Sequence, residues 1–174
     1  MPDITLSEAI KEAYAAAPAN LIIYHTLELW HSAFTAPIRV VRDYQDLTAT
    51  LEAGAPRNPG ASVTFVAFAF DFTKPEITST GLPEVTITID NVDRSIVANI
   101  EAALTTAELI QVIYREFIST DLTAPQNDPP LTLSISSISA TLMTVTARAG
   151  FMNLMNKRFP TIEYNPELFV GLSS

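Results

Sequence analysis

The sequence predicts a mainly β single domain (α+β), a barrel or sandwich with one or two helices packed on it. Three observations predict it. Several stretches alternate apolar and polar residues, most cleanly Glu84 to Asp90, where Val85, Ile87 and Ile89 share one side. Helical spacing is confined to two segments. The 174 residues are 48% hydrophobic and 17% charged, enough for a sizeable core and unlike a disordered chain.

The first helix is read from Thr5-Leu6-Ser7-Glu8, which fits a capping box, followed by Leu6, Ile10, Ala13, Tyr14 and Ala17 at helical spacing. Pro18 ends it. From Asn20 to His31 the period changes: Leu21-Ile22-Ile23-Tyr24 is rich in strand formers, and Leu27 and Leu29 share a face. Ile38 to Arg42 reads as a second strand. The run Gly54 to Gly60 is a loop by composition. Val63 to Phe72 reads as one strand, with Val66, Phe68, Phe70 and Phe72 on one parity. The strand Glu84 to Asp90 leads into a helix over Ile96, Ile100, Ala103 and Leu104, with Asp93 as its N-cap. Leu109 to Ile118 fits a strand or a short helix, and its β-branched content selects the strand. Pro125 to Pro130 is a loop. Leu131 to Ile135 and Leu142 to Arg148 are alternating strands with Ser and Thr on the non-core parity, as on a half-buried antiparallel sheet. Residues 1–158 form the β-rich domain. Residues 159–174, with irregularly spaced aromatics, read as an extended carboxy-terminal arm.

Composition narrows the function. The chain has no cysteine, which excludes disulfide frameworks, thiolate zinc sites, iron–sulfur ligation and thiol catalysis. Ten Lys and Arg against 19 Asp and Glu give a net charge of −9, which argues against a general nucleic-acid binder. Few charges on an apolar-rich chain suggest a surface covered in part by partners. No leader and no apolar run near the roughly 20 residues of a membrane span is visible, so the expectation is a soluble protein made in a cytoplasm.

Chemistry-bearing motifs are scarce. There is no phosphate-binding glycine loop and no nucleophile elbow. His25, Glu28 and His31 are spaced by threes. On a strand Glu28 points away from both histidines, so the three do not converge on an ion. Asp90 and Asp93 flank a strand-to-helix turn and are read as turn and capping residues rather than a glycosidase-like pair. The Phe68, Phe70, Phe72 stripe is read as core or subunit interface rather than a ligand pocket.

The stretch Glu84-Val85-Thr86-Ile87-Thr88-Ile89-Asp90-Asn91-Val92-Asp93-Arg94-Ser95-Ile96 resembles the turn-and-helix region of the minor tail protein L family of lambda-like phages. Ala36-Pro37-Ile38-Arg39-Val40-Val41-Arg42-Asp43 is similar to an uncharacterised family of domains encoded among phage tail genes. The same family's carboxy-terminal pattern is similar to Arg158-Phe159-Pro160 through Tyr164, Phe169 and Gly171-Leu172. These anchors, in this order, span most of the chain. The resemblance implies a structural protein of the virion tail tip or baseplate, with no enzymatic activity. It implies a homo-oligomeric ring, trimer or hexamer, between the distal tube and the central hub, with DNA passing through the lumen without specific binding. L-type proteins carry a cysteine-rich domain thought to hold an iron–sulfur cluster; with no Cys, that function does not carry over, and no cofactor is expected.

A ring needs two complementary faces on each copy. Phe159, Tyr164 and Phe169 are expected to anchor the arm on a neighbouring subunit. Arg39, Arg42, Arg115 and Arg158 are expected to pair with acidic groups there. A net acidic wall would repel DNA phosphate and let it slide. Two other classes stay open: a small β-barrel binding an apolar ligand or a receptor, and a cell-wall hydrolase using paired carboxylates.

Overall fold

The computed structural model describes residues 6–16, 18, 21–73, 84–90, 94–106, 108–141 and 144–151. Its elements run α1 (Glu8–Ala16), β1 (Ile23–Trp30), β2 (Ile38–Val41), β3 (Leu47–Thr50), β4 (Ser62–Ala67), β5 (Phe70–Phe72), β6 (Glu84–Asp90), α2 (Arg94–Leu104), β7 (Gln111–Ile118), β8 (Leu131–Ala140) and β9 (Thr144–Gly150). The described strands form one mainly antiparallel sheet in the order β3-β4-β2-β1-β7-β8-β9-β6-β5. Only β2 and β4 pair in parallel.

The sheet curls back on itself. β5 follows β4 after two residues, so the segment 62–72 lies beside β2 at one end and β6 at the other. At the junction the Phe68 N–H donates to Val41 O at 3.0 Å, and Ala69 O accepts from the Asp90 N–H at 2.9 Å. Two adjacent residues thus stitch the two margins together, which satisfies edge groups that an open sheet would expose. Of the two architectures the sequence allows, the chain adopts the barrel.

Period-two patterning fills that barrel. Leu27 and Leu29, Val40, Phe70, Val85, Ile87 and Ile89, Val112 and Tyr114, Leu133 and Ile135, and Ala147 and Ala149 form one buried cluster. β1, β2 and every strand from β5 to β9 contribute. β6 and β9 show why their sequence was readable: Val85, Ile87 and Ile89 are buried against exposed Glu84, Thr86 and Asp90, and Val145, Ala147 and Ala149 alternate with more accessible Thr144, Thr146 and Arg148. At about 25 cal/mol per Å² of apolar area removed from water, this interior is the main stabilising term.

A second core lies on the outer face. The hairpin of β3 and β4 folds over β7, packing Leu47, Ala49, Leu51, Ala55 and Phe65 against Val41 and Phe117. The Phe65 and Phe117 rings sit 6.0 Å apart and tilted. β7 is therefore covered on both faces, with every residue from Val112 to Ile118 buried. That double burial erases the alternation and explains why its sequence fits two readings.

Four expectations change. β3 has no counterpart in the sequence reading, because four residues, Leu-Thr-Ala-Thr, are too short to establish a period. The single strand expected over Val63 to Phe72 breaks at Phe68–Ala69. Phe65, on the opposite parity to the expected stripe, is wholly buried, whereas Val66 is exposed. β8 runs five residues past Ile135. The helix α1 starts at Glu8, and its cap is Ser7: the Ser7 hydroxyl accepts from the Ile10 N–H at 3.3 Å, and Ser7 O accepts from the Lys11 N–H at 3.1 Å. Leu6 is drawn instead into a bridge with Asn127. Thr5, Asp93, Arg158 and the arm at 159–174 lie outside the described residues.

The helices sit at different places on the barrel. α1 buries Ile10 and Ala13 and reaches Glu116 through Tyr14. α2 places Ile100 against Val145, Ile38, Phe68 and Ile138. Among the described residues, no helix is long and apolar enough to cross a membrane.

Candidate functional site

Three polar constellations stand out against this apolar frame. The first lies beneath the loop at residues 51–60, on the outer face of β1, β2 and β7. Glu28 is central to β1, on the opposite parity to Leu27 and Leu29, and its side chain has no exposed surface. Its Oε2 accepts from Arg39 Nε at 3.0 Å and Arg115 Nη1 at 3.4 Å, and its Oε1 accepts from Arg57 Nε at 3.1 Å. Arg115, also fully buried, forks onto Glu52 through two bonds of 2.8 Å. Arg57 donates to Gln111 Oε1 at 2.9 Å and lies 5.0 Å over the Trp30 ring; Arg39 donates to Asn58 Oδ1 at 2.8 Å. Strand pairing dictates the convergence, because Glu28 is directly opposite Arg39 on β2 and diagonal to Arg115 on β7, whose own partner is Thr26. Bidentate guanidinium–carboxylate geometry holds the loop to the sheet.

This cluster holds two of the four arginines named from the sequence. Arg115 presents nothing to a neighbouring subunit, because its acidic partners are Glu28 and Glu52 of its own chain. Arg39 is likewise engaged internally by Glu28 and Asn58. Arg42 is different. Its side chain is 55% exposed and stands 3.9 Å from Asp71, a loose surface pair that leaves it accessible.

The second constellation lines the inside of the barrel near α1. Tyr114 and Tyr14 both donate to Glu116 Oε1, at 2.6 and 2.7 Å. His25 Nδ1 lies 2.6 Å from Tyr114 Oη, whose own proton is directed at Glu116, so the imidazole N–H donates. Phe72 stacks on Tyr114 with centroids 4.3 Å apart. Partial burial, reinforced by the bond to Glu116, pushes the phenol of the half-exposed Tyr14 above the ordinary tyrosine range. Tyr114 moves the same way, through burial and then the charge of Glu116, with Arg42 opposing weakly. Both phenols are thus proton donors, and the network ties α1 to β7 and β1. Asn127 locks the loop beside it, donating to Tyr114 O at 3.0 Å and accepting from the Glu116 N–H at 3.0 Å.

The third is a groove of about 650 Å³ over the seam that closes the barrel. Ala67, Phe68, Ala69 and Phe70 form its floor, and Arg42, Asp43, Tyr44, Asp71 and Asp90 its rim. Tyr44 is fully exposed. The aromatic stripe is thereby divided: Phe70 belongs to the core, Phe68 packs against it at the groove, and Phe72 stacks inside on Tyr114. Thr144 donates to Asp90 at 3.2 Å, and the Asp71 side chain is 78% exposed.

The histidines do diverge from Glu28. His25 faces the barrel interior. His31 is buried below α2, its Nδ1 accepting from the Ala33 N–H at 3.0 Å and its Nε2 lying 3.0 Å from Thr106 Oγ1 and 3.3 Å from Glu108 O. Because Thr106 donates to Ala103 O, the His31 Nε2 carries the proton. The Ser32 hydroxyl donates to the Glu108 carboxylate. Among the described residues, no three His, Asp or Glu side chains are grouped to hold a metal ion.

Sequence reasoning reached Arg39 and Arg115 but not that Glu28 and Glu52 are their partners or that Arg57 joins them, nor the Tyr14–Tyr114–Glu116 network. One signal was present: a glutamate flanked by Leu27, Leu29 and Trp30 within a strand calls for a buried cation. The described site residues lie on β1, β2 and β7, in the loop at 51–60 and the loop that holds Asn127, on α1, or at the seam. A family model described as Domain of unknown function (DUF1833) matches residues 9–164, and no curated protein matches the chain. Since that match runs from the second residue of α1 past the end of β9 and takes in the buried ion cluster, the tyrosine network and the seam groove, the chain belongs to the DUF1833 family.

Proposed function

We propose that this protein is a structural component of a phage tail tip or baseplate, a ring-forming scaffold between distal tube and hub around the DNA channel. The observation that carries the proposal is the apolar interior of the barrel: β1, β2 and β5 to β9 all send apolar side chains into one shared core. The working part of such a fold is its surface, as in an assembly protein. Charge distribution supports the same reading. The buried cluster withdraws three arginines and two glutamates, so the remainder of the chain is more acidic than −9, suited to a wall that DNA passes without sticking. The ordered likeness of the stretches at 36–43, 84–96 and 158–172 to phage tail families supplies the assembly.

The test is the assembly state. The purified chain is expected to sediment as a closed oligomer. The chain truncated after Arg158 is expected to keep its β-sheet circular dichroism and lose assembly. Normal rings from the truncated chain would refute the role of Phe159, Tyr164 and Phe169. A monomer at every concentration, with or without tail proteins, would refute the ring. The seam groove favours a second reading, a ligand- or receptor-binding module; saturable binding of a small apolar ligand by a monomeric chain would favour it.

A further inference from the structure

The seam groove combines an apolar floor with an acidic rim. Asp43, Asp71 and Asp90 outnumber Arg42 there, and a fully exposed Tyr44 stands beside them. A flat aromatic next to carboxylates suits a cationic and aromatic segment. The sequence contains one such segment. Lys157-Arg158 is the only pair of adjacent cations among the ten Lys and Arg, and Phe159 follows it.

Reach disfavours docking on the same chain. β9 leaves the sheet at Gly150, opposite Glu84, whereas the groove lies at Asp90, opposite Thr144. Those positions are six residues apart along β6, roughly 20 Å at 3.4 Å per residue. The seven steps from Gly150 to Lys157 span at most about 25 Å fully extended. Docking on the same chain would need the segment to double back with almost no slack. We propose that the seam groove receives the Lys157-Arg158-Phe159 segment of a second copy of this chain. Groove and segment are different patches, so the contact is head-to-tail and propagates around a ring. This deepens the scaffold reading above and rests on it.

The test separates the two. The full chain carrying Lys157→Glu and Arg158→Glu serves as host, and a labelled peptide of residues 154–164 as probe. The peptide is expected to bind. Asp71→Lys with Asp90→Lys in the host is expected to weaken binding about tenfold, as two exposed ion pairs would. Tyr44→Ala, which removes a wholly exposed ring, is expected to weaken it without affecting the fold. Undetectable peptide binding, or equal binding to the Asp and Tyr44 variants, overturns the proposal. Because the chain has no native cysteine, Tyr44→Cys on one chain and Phe159→Cys on another are expected to form a disulfide between chains. A link that forms only within a doubly substituted chain overturns the second-copy assignment. Closed oligomers that persist without peptide binding sink this inference and leave the ring standing. Peptide binding by a chain that never closes sinks the ring and leaves the docking contact standing.

Discussion

Replacing Glu28 by Gln removes one negative charge from the centre of the buried cluster and changes almost nothing in shape. The wild-type carboxylate serves three guanidiniums at 3.0 to 3.4 Å, and both Glu28 and Arg115 are fully buried. After the change, Arg115 keeps its fork onto Glu52, but Arg39 and Arg57 lose their only carboxylate in the cluster. The amide also turns an N–H₂ toward one of the arginines. Removing one partner of a buried ion pair costs about 3–5 kcal/mol, because the remaining charges stay desolvated. For a chain of this length each kcal/mol lowers Tm by about 2–4 °C, so Glu28→Gln is expected to lower it by about 6–20 °C. Urea denaturation followed by circular dichroism reads the free energy directly. The internal control is Glu8→Gln, which breaks the helix-surface pair with Lys11 at 2.9 Å; Glu8 is 92% exposed, and a loss of at most about 0.5 kcal/mol is expected. A Glu28→Gln loss below about 1 kcal/mol would refute the claim that this carboxylate holds the loop at 51–60 to the sheet. A double-mutant cycle with Arg57→Gln isolates the pairwise share, expected within about 0.5–3 kcal/mol.

Other outcomes follow from the same geometry. The chain has five tyrosines, and in an ultraviolet titration Tyr14 and Tyr114 are expected to stay protonated above the ordinary tyrosine value near 10. Their raised folded values stabilise the fold fully below the unfolded value near 10. That contribution drains away as pH rises above about 10, so stability falls on the alkaline side; a flat profile there would contradict the network. Phe65→Ala opens a cavity against Phe117 and is expected to lose about 3–5 kcal/mol in a denaturant melt. Ser7→Ala removes both the cap of α1 and the 2.6 Å bond to Gln126, and is expected to lose about 1 kcal/mol, with helical signal falling first on heating.

Much of the fold was written locally. β6 and β9 face solvent on one side and the core on the other, so a strict two-residue alternation survives in their sequence. β7 is buried on both sides and loses that alternation, which left it ambiguous. β3 is too short to carry a period, and it is held by pairing with β4 rather than by its own pattern. The break at Phe68–Ala69 has no local signature, since it exists to let one segment pair with two separate strands.

The site was less legible still, and the reason is sequence distance. The sequence by itself determined that the chain is β-rich, acidic and without cysteine chemistry, and that Glu28 stands on the opposite face of β1 from its leucines. It could not determine that Glu28 meets Arg115, 87 residues away, or that Tyr14 meets Glu116 across 102. Those encounters depend on strand order and register, which only the closed barrel sets. The same closure decided which arginines are consumed inside the chain and left Arg42, at the seam, facing outward. Burial turns a charge into an internal fastener, and exposure leaves it available to a partner. Residue type is common to both, and topology chooses between them.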